Sequence, residues 1–363
     1  MRRLVPLLLL LLGSGCDGDG GDDAGSLADG SVADGGGSAD GGGSADGGGS
    51  GDAGGPTDAG PAPSGTLSED HPGDVGMGSD PDVVWFEDFE EGSLAAIAAR
   101  YDQARDNGRW TLVGDTPNGA GQALAMEAGQ GEEAVDLYKQ LPDADEWYVR
   151  WYARYEAGVP WHHSGMWFGG YAPSMRWPSP MAGNRPNGDD RFSVAIEPVY
   201  DGPAGERFDF YDYWMGMRSW MADPITDDGT AYYGNGLVHR NDFTLDEETW
   251  VCLEVHLRLN PDPSSAAGAV LEVWKNDVLM RRFDDGGPRG YWIRDKFCPE
   301  GADGAECTDY PAPADTTLGL QMRSDPALRL NAFWPQNYIT DDARGTLTFD
   351  QMVVATRRVG CMR

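Results

Sequence analysis

Between Trp250 and Leu259 the chain alternates with a period of two: Val251, Leu253, Val255, Leu257 and Leu259 fall on one side, and Cys252, Glu254, His256 and Arg258 on the other. Successive side chains of an extended strand point to opposite faces, so this order fits a strand with one buried face, whereas a helix would scatter the apolar groups around its girth. The same alternation runs through Trp147 to Tyr155, where Trp147, Val149, Trp151 and Ala153 oppose Tyr148, Arg150, Tyr152 and Arg154. It returns in Phe192 to Glu197, and in Phe208 to Trp214, where Phe208, Phe210 and Trp214 oppose Asp209, Tyr211 and Tyr213. Further strands are predicted over Val83–Phe89, Gly121–Met126, Gly268–Lys275, Val278–Phe283, Thr317–Met322, Leu328–Trp334 and Thr346–Ala355. Only Ser93 to Tyr101 reads as a helix, started by Ser93 and carrying Leu94, Ile97, Ala98 and Tyr101 at helical spacing.

Clusters such as Arg185-Pro186-Asn187-Gly188 and Asn260-Pro261-Asp262-Pro263 break these strands and make turns. Each strand has one apolar face that another sheet must cover. The expected fold class is therefore all-β, a two-sheet antiparallel jelly-roll (concanavalin-like) sandwich. In such sandwiches the first and last strands commonly pair, which would set Phe86 to Glu90 beside Leu347 to Asp350.

The first eighty residues have another composition. Arg2 and Arg3 precede an apolar run from Leu4 to Leu12, then Gly13, Ser14, Gly15 and Cys16, the order of a secretory signal. The run is too short to span a bilayer, which takes about 20 apolar residues. A cysteine directly after the small residues resembles a bacterial lipobox, so residues 1–16 are expected to be a signal segment ending at a lipidated Cys16. The alternative is a plain secreted protein. Residues 17–80 repeat Ala-Asp-Gly-Gly-Gly-Ser and hold fourteen acids with no Lys or Arg. Such a segment cannot bury enough apolar surface to offset the entropy of ordering, so it is expected to be a disordered tether with a reach of roughly 40–50 Å. Residues 81–363 then form one domain, lipid-anchored to the membrane from the extracytoplasmic side of the cell envelope.

Of 60 acids and 27 bases, the first eighty residues hold fourteen and two, so residues 81–363 carry 46 against 25, a net charge of −21. A domain this acidic lacks the field that attracts phosphates, which argues against nucleic acid or an anionic membrane surface as partner. With Cys16 assigned to lipid, four cysteines remain in a chain bound for an oxidising compartment. Of the three connectivities that can be drawn, Cys298–Cys307 and Cys252–Cys361 are favoured. No Cys-x-x-Cys or nearby His pair accompanies them, so a metal site at these thiols is not expected.

Three stretches carry a resemblance that covers most of residues 83–361. Phe86-Glu87-Asp88-Phe89-Glu90-Glu91-Gly92, Tyr148-Val149-Arg150-Trp151-Tyr152 leading to His163-Ser164-Gly165-Met166-Trp167-Phe168-Gly169-Gly170, and Phe349-Asp350-Gln351-Met352-Val353-Val354-Ala355-Thr356 look like the jelly-roll polysaccharide lyases that cleave alginate or glucuronan, and their non-catalytic relatives. The resemblance implies a groove strand with a Tyr-x-Tyr pair, matched by Tyr211-Asp212-Tyr213. Where the lyases usually carry a lysine before Pro-Gly-Leu, this chain has His162-His163-Ser164-Gly165-Met166. Their Ser-x-Arg strand is replaced by Ala195-Ile196-Glu197, with Ser174-Met175-Arg176 in the loop before it.

Uronate β-elimination needs a group that neutralises the carboxylate, a base for the α-proton and an acid for the leaving oxygen. His162, Tyr211 and Tyr213 are the candidate catalytic residues. Arg150, Tyr152, His163, Arg176, His256, Arg258 and Gln321 are the candidate substrate contacts, with Arg154 and Arg323 of the same type. The competing reading is that Arg and Tyr on strand faces form cross-strand pairs that solvate a sheet. Adjacent residues on extended backbone point to opposite faces, so His162 and His163 are not expected to ligate one ion. Trp161, Trp177 and Trp220 fall in loops and are candidates for a sugar-stacking platform, whereas Trp214 and Trp334 are expected in the core. No cofactor is required for this chemistry. Asp88, Glu90 and Asp350 offer carboxylates to a structural Ca²⁺ if the first and last strands pair, the alternative being plain acidic surface. The expected function is a surface-displayed, glycan-recognising domain, for which polysaccharide lyase activity on uronate polymers is one reading and is left open. The alternative is a non-catalytic carbohydrate-binding or adhesion module of the same fold, and a third reading is a structural envelope lipoprotein.

Overall fold

The computed structural model describes residues 65–172, 182–200, 206–217, 232–238, 242–284, 290–293, 296–299, 320–340 and 343–363. Lipidation at Cys16, the tether up to residue 64, Arg176, Trp177, Trp220 and Cys307 lie outside them, and with Cys307 the proposed bridge to Cys298.

The strands in chain order are β1 (Val83–Glu87), β2 (Gln103–Arg105), β3 (Trp110–Val113), β4 (Ala123–Gly129), β5 (Val135–Ala144), β6 (Glu146–Tyr155), β7 (Gly165–Tyr171) and β8 (Arg191–Tyr200). They continue as β9 (Glu206–Phe210), β10 (Val251–Arg258), β11 (Val270–Lys275), β12 (Val278–Phe283), β13 (Gly290–Ile293), β14 (Lys296–Pro299), β15 (Leu330–Asn337) and β16 (Arg344–Ala355). An eight-stranded sheet runs β12-β11-β10-β6-β16-β4-β3, with β1 also on β16, and a six-stranded sheet runs β2-β5-β15-β7-β8-β9. All the pairings are antiparallel, β13 and β14 forming a separate hairpin. The two-sheet all-β sandwich expected from the period-two rows is what the chain adopts.

The rows also face as the alternation requires. Val251, Leu253, Val255 and Leu257 of β10 pair with Ala153, Trp151, Val149 and Trp147 of β6. Across the interior, Tyr155 at the end of that β6 row meets Phe208 of β9 edge-on, ring centroids 5.6 Å apart. Phe208 and Phe210, with Val194, Ile196, Met166 and Phe168 on the paired strands, therefore face the eight-stranded sheet. Helix α1 spans Leu67–Asp70 and α2 spans Leu94–Ala98, the latter capped by Ser93 Oγ, which accepts from Ala96 N.

First and last strands pair, further along than expected: Phe86 lies opposite Val353 and Glu87 opposite Met352. The reason is that β16 has β6 on one side from Leu347 to Ala355, while on the other β4 occupies Arg344–Phe349 and β1 takes over after a bulge. Gln351, at φ 46°, sits in that bulge. Residues 320–322 are not in a strand, because Asn260 Oδ1 accepts from Met322 N and Arg323 N and holds the segment as a loop.

The boundary at residue 80 is corrected. Residues 65–80 fold onto the outer face of the eight-stranded sheet, where Leu67 and Met77 form a small second core with Val353, Ala355 and Val359. Leu67 N and Ser68 N donate to Arg358 O and Val359 O, and Gly73 N donates to Arg363 O. The returning C-terminus supplies the apolar cover and backbone partners that a reading of this Gly-rich segment alone could not. The Cys252–Cys361 disulfide closes the same region.

Candidate functional site

The outer face of the six-stranded sheet carries the residues that alternate with its buried row. Ser193, Ala195 and Glu197 of β8, Trp167 of β7, Trp334 of β15 and Tyr138 of β5 lie there. Tyr211 and Tyr213 continue β9 on this face: Tyr211 N donates to Ala195 O, and Tyr213 exchanges two backbone hydrogen bonds with Ser193. The indoles of Trp167 and Trp334 stack at 5.7 Å, and Tyr211 meets Trp167 edge-on at 5.8 Å.

The loop 232–238 lies against Tyr211. Asp209 Oδ1 accepts from Leu237 N and Val238 N, fixing it, and Asp212 exchanges backbone hydrogen bonds with Asn235. Gly234 is required at the contact, since a Cβ there would come within 2.4 Å of the Tyr211 ring. Tyr211 is left 8% exposed and Tyr213 1%. Burial, and after it the neighbouring Tyr213 and Glu197, pushes the Tyr211 phenol well above its ordinary range, so the hydroxyl keeps its proton at neutral pH.

His162 and His163 precede β7. His163 has φ 60°, a left-handed conformation that a histidine adopts more readily than most residues. It turns the chain so that both rings lie on one side, stacked with centroids 3.7 Å apart. The expectation that adjacent histidines point apart is thereby corrected, because it assumed extended backbone. Gln336 Nε2 donates to His163 O and secures the turn. The His163 ring meets Tyr211 at 4.9 Å and faces Tyr338 at 6.1 Å, and its Nδ1 lies 3.5 Å from Glu197 Oε1. Glu197 is fully buried, while His162 is partly open and Tyr338 exposed, giving the cluster a side toward solvent.

His162, His163, Tyr211 and Tyr213 are thus brought together. The other candidates within the described residues are not, and are corrected as follows. Arg150, Tyr152, His256 and Arg258 lie on β6 and β10, on the outer face of the opposite sheet. Arg150 is fully buried against Asp74 and donates to Gln351 O. The Tyr152 hydroxyl accepts from Met362 N. His256 lies between Glu272 and Glu146, at 2.6 and 2.7 Å, stacked on Tyr148 at 4.0 Å. Arg258 donates to Gly268 O, and Gln321 to Pro263 O in the turn after β10. Alternation tells which residues share a face of one strand but not which sheet that strand joins. Trp161 is also corrected: it is 1% exposed, packed edge-on against Tyr155, with Nε1 donating to Glu156 O. Trp334 is buried as expected, but on the outer face. Glu197 was missed as a site residue, although its place in the Ser193, Ala195, Glu197 row put it on the face of Tyr211.

Burial pushes the Asp350 carboxyl up to about 8, with the charges of Glu90 and Asp88 adding to it. Among the described residues, the groups whose ligand atoms lie within 4.8 Å of one another are His162, His163 and Glu197, and Glu87, Asp88 and Glu91. In the second group Arg100 already bridges Glu87 and Glu91.

No family model matches the chain, and no curated protein matches it. Solved structures do. The marine PL-14 alginate lyase from Aplysia kurodai superposes with a TM-score of 0.50 at 12% identity, over 76% of this chain and 99% of that one. The domain shares its jelly-roll fold with that alginate lyase. Alginate lyase Aly36B is similar at a TM-score of 0.49 and 10% identity, over 77% of this chain and 99% of its own. An endo-β-1,4-glucuronan lyase from Trichoderma reesei gives 0.40 and 9%, over 76% and 96%. At 12% identity, what is shared with the Aplysia lyase is the fold.

Proposed function

We propose that the domain is a glycan-binding jelly roll whose outer six-stranded face performs proton transfer in β-elimination on a uronate polymer. The observation that carries this is the convergence of two imidazoles, a protonated phenol and a buried carboxylate at one solvent-facing place. Glu197 Oε1, 3.5 Å from His163 Nδ1, is placed to close onto the ring and stabilise the imidazolium that forms when the imidazole accepts a proton at its other nitrogen. Tyr211, held protonated, is the group to donate to the leaving oxygen. The C–H bond at C5 and the C4–O bond break, the C4=C5 bond forms, and the leaving sugar oxygen takes the phenolic proton. Exposed Tyr338 offers a ring face for stacking a sugar. Incubating the protein with a panel of uronate polymers tests this. Ultraviolet absorbance from unsaturated uronate is the expected result, and its absence on every polymer would remove the enzyme reading.

A second reading, a non-catalytic binding module, is favoured by the guanidinium groups of this face. Arg191 pairs with Asp190, and Arg207 Nη1 lies 3.8 Å from Asp209, so both cations already face carboxylates rather than offering undivided charge to a uronate. Binding of glycans without product would establish it. Display from the envelope through a lipid on Cys16 belongs to both readings. A Cys16→Ser protein that is still processed and still retained in the membrane fraction would refute it. A structural Ca²⁺ held by Asp88, Glu90 and Asp350 is proposed because β1 pairs with β16 up to Glu87 opposite Met352, which leads Asp88 and Glu90 toward the buried Asp350 carboxyl, although the three do not cluster within 4.8 Å as they stand.

A further inference from the structure

We propose that His162, His163 and Glu197 form a binding site for a divalent transition ion, with Zn²⁺ the best fit. The site coincides with the proton-transfer cluster, but the inference does not rest on the lyase reading. Three independent observations carry it.

The first is the left-handed backbone at His163, which brings two successive imidazoles to one side. Strained positions of this kind persist where surrounding contacts over-determine them, and they gather at functional sites. The second is Glu197. It is fully buried, and neither carboxylate oxygen makes a hydrogen bond. His163 Nδ1, at 3.5 Å, lies just beyond good hydrogen-bonding distance. A buried carboxylate is ordinarily paired, hydrogen-bonded or bound to a metal. The third is distance: one ligand atom from each of the three residues lies within 4.8 Å of the others. An ion bound at about 2.0–2.2 Å from each would need them closer by roughly an ångström, within reach of side-chain rotation.

The donor set selects the ion. Imidazole nitrogens favour Zn²⁺ and its neighbours over Ca²⁺ or Mg²⁺, which take oxygen. Three protein ligands leave a fourth tetrahedral position, the arrangement of sites that exchange water for a substrate oxygen. It would open on the side where His162 and Tyr338 reach solvent. Thr340 Oγ1, 3.3 Å from His162 Nδ1, is the kind of outer contact that fixes a ligating ring. A bound ion would take imidazole lone pairs that proton abstraction needs, so occupancy and elimination would exclude one another at this cluster.

The test is calorimetric titration of the EDTA-treated, dialysed full chain with ZnCl₂ in the absence of glycan, alongside Co²⁺ titration followed by visible absorption. Wild type is expected to bind one ion with tetrahedral Co²⁺ bands. His162→Ala and Glu197→Gln are each expected to weaken binding at least about tenfold while circular dichroism stays unchanged. Should the buried Glu197 variant fail to fold, the partly exposed His162 variant carries the test. No binding by wild type, or unchanged affinity in the folded variants, would overturn the proposal. Elimination assayed in EDTA is read separately, so either idea can fail alone.

Discussion

Asp74 and Arg150 form an ion pair with both side chains essentially removed from water, joining a segment that precedes β1 to the middle of β6. Removing one partner of such a pair leaves an uncompensated buried charge, at a cost of about 3–5 kcal/mol. Asp74→Ala is expected to destabilise the domain by that amount in denaturant unfolding, whereas Asp74→Leu combined with Arg150→Met should recover much of the loss. Wild-type stability in Asp74→Ala would mean that residues 65–80 do not dock.

The Cys252–Cys361 bridge spans a sequence separation of 109 residues and ties the C-terminal strap to β10. Closing a loop of that length restricts the unfolded chain by about 5 kcal/mol. Thermal unfolding of the Cys252→Ser, Cys361→Ser double variant should show the loss, and non-reduced peptide mapping of wild type should return this pair. A different pairing would refute the placement of the C-terminus.

Tyr211→Phe removes the proton donor and leaves the ring beneath Gly234. If elimination occurs, product formation should fall by about a hundredfold or more with glycan affinity changed only slightly. In a pure binding module no product appears from wild type, and the same change weakens binding by about 1 kcal/mol, the worth of one neutral hydrogen bond.

Burial pulls His256 down, but hydrogen bonds to Glu146 and Glu272 outweigh it and hold the imidazole above its ordinary value. A folded-state pKa raised above the unfolded one stabilises fully below the unfolded value, about 6.5, and the contribution is lost as pH rises through the folded value. Melting temperatures measured from pH 5 to 9 should carry a falling component, and Glu272→Gln should flatten it. An unchanged profile in that variant would sink the assignment.

Ca²⁺ is expected to raise the melting temperature of wild type at neutral pH and to leave Asp350→Asn unmoved. An equal shift in both proteins would place the ion elsewhere.

Much of this architecture was legible because the β6, β10 and β9 rows are strictly alternating. What escaped has physical causes. All seven residues of β7 are buried, so that strand carries no period to read, and β5 is interrupted by Pro142 and Asp143. The alternation placed Tyr211 and Tyr213 correctly, because it fixes a face. Arg150 and His256 obeyed the same alternation but belonged to the other sheet, which only pairing partners far along the chain decide. The left-handed turn at His163 had no glycine or asparagine to announce it.

Leu67, packed with Val353 and Ala355, and Arg363, whose carbonyl accepts from Gly73 N, both lie on the outer face of the eight-stranded sheet, at the back of the sandwich from His162. Coupling the domain to a bead, a sensor chip or a fusion partner at Arg363 should therefore leave the imidazole side unobstructed and uniformly oriented.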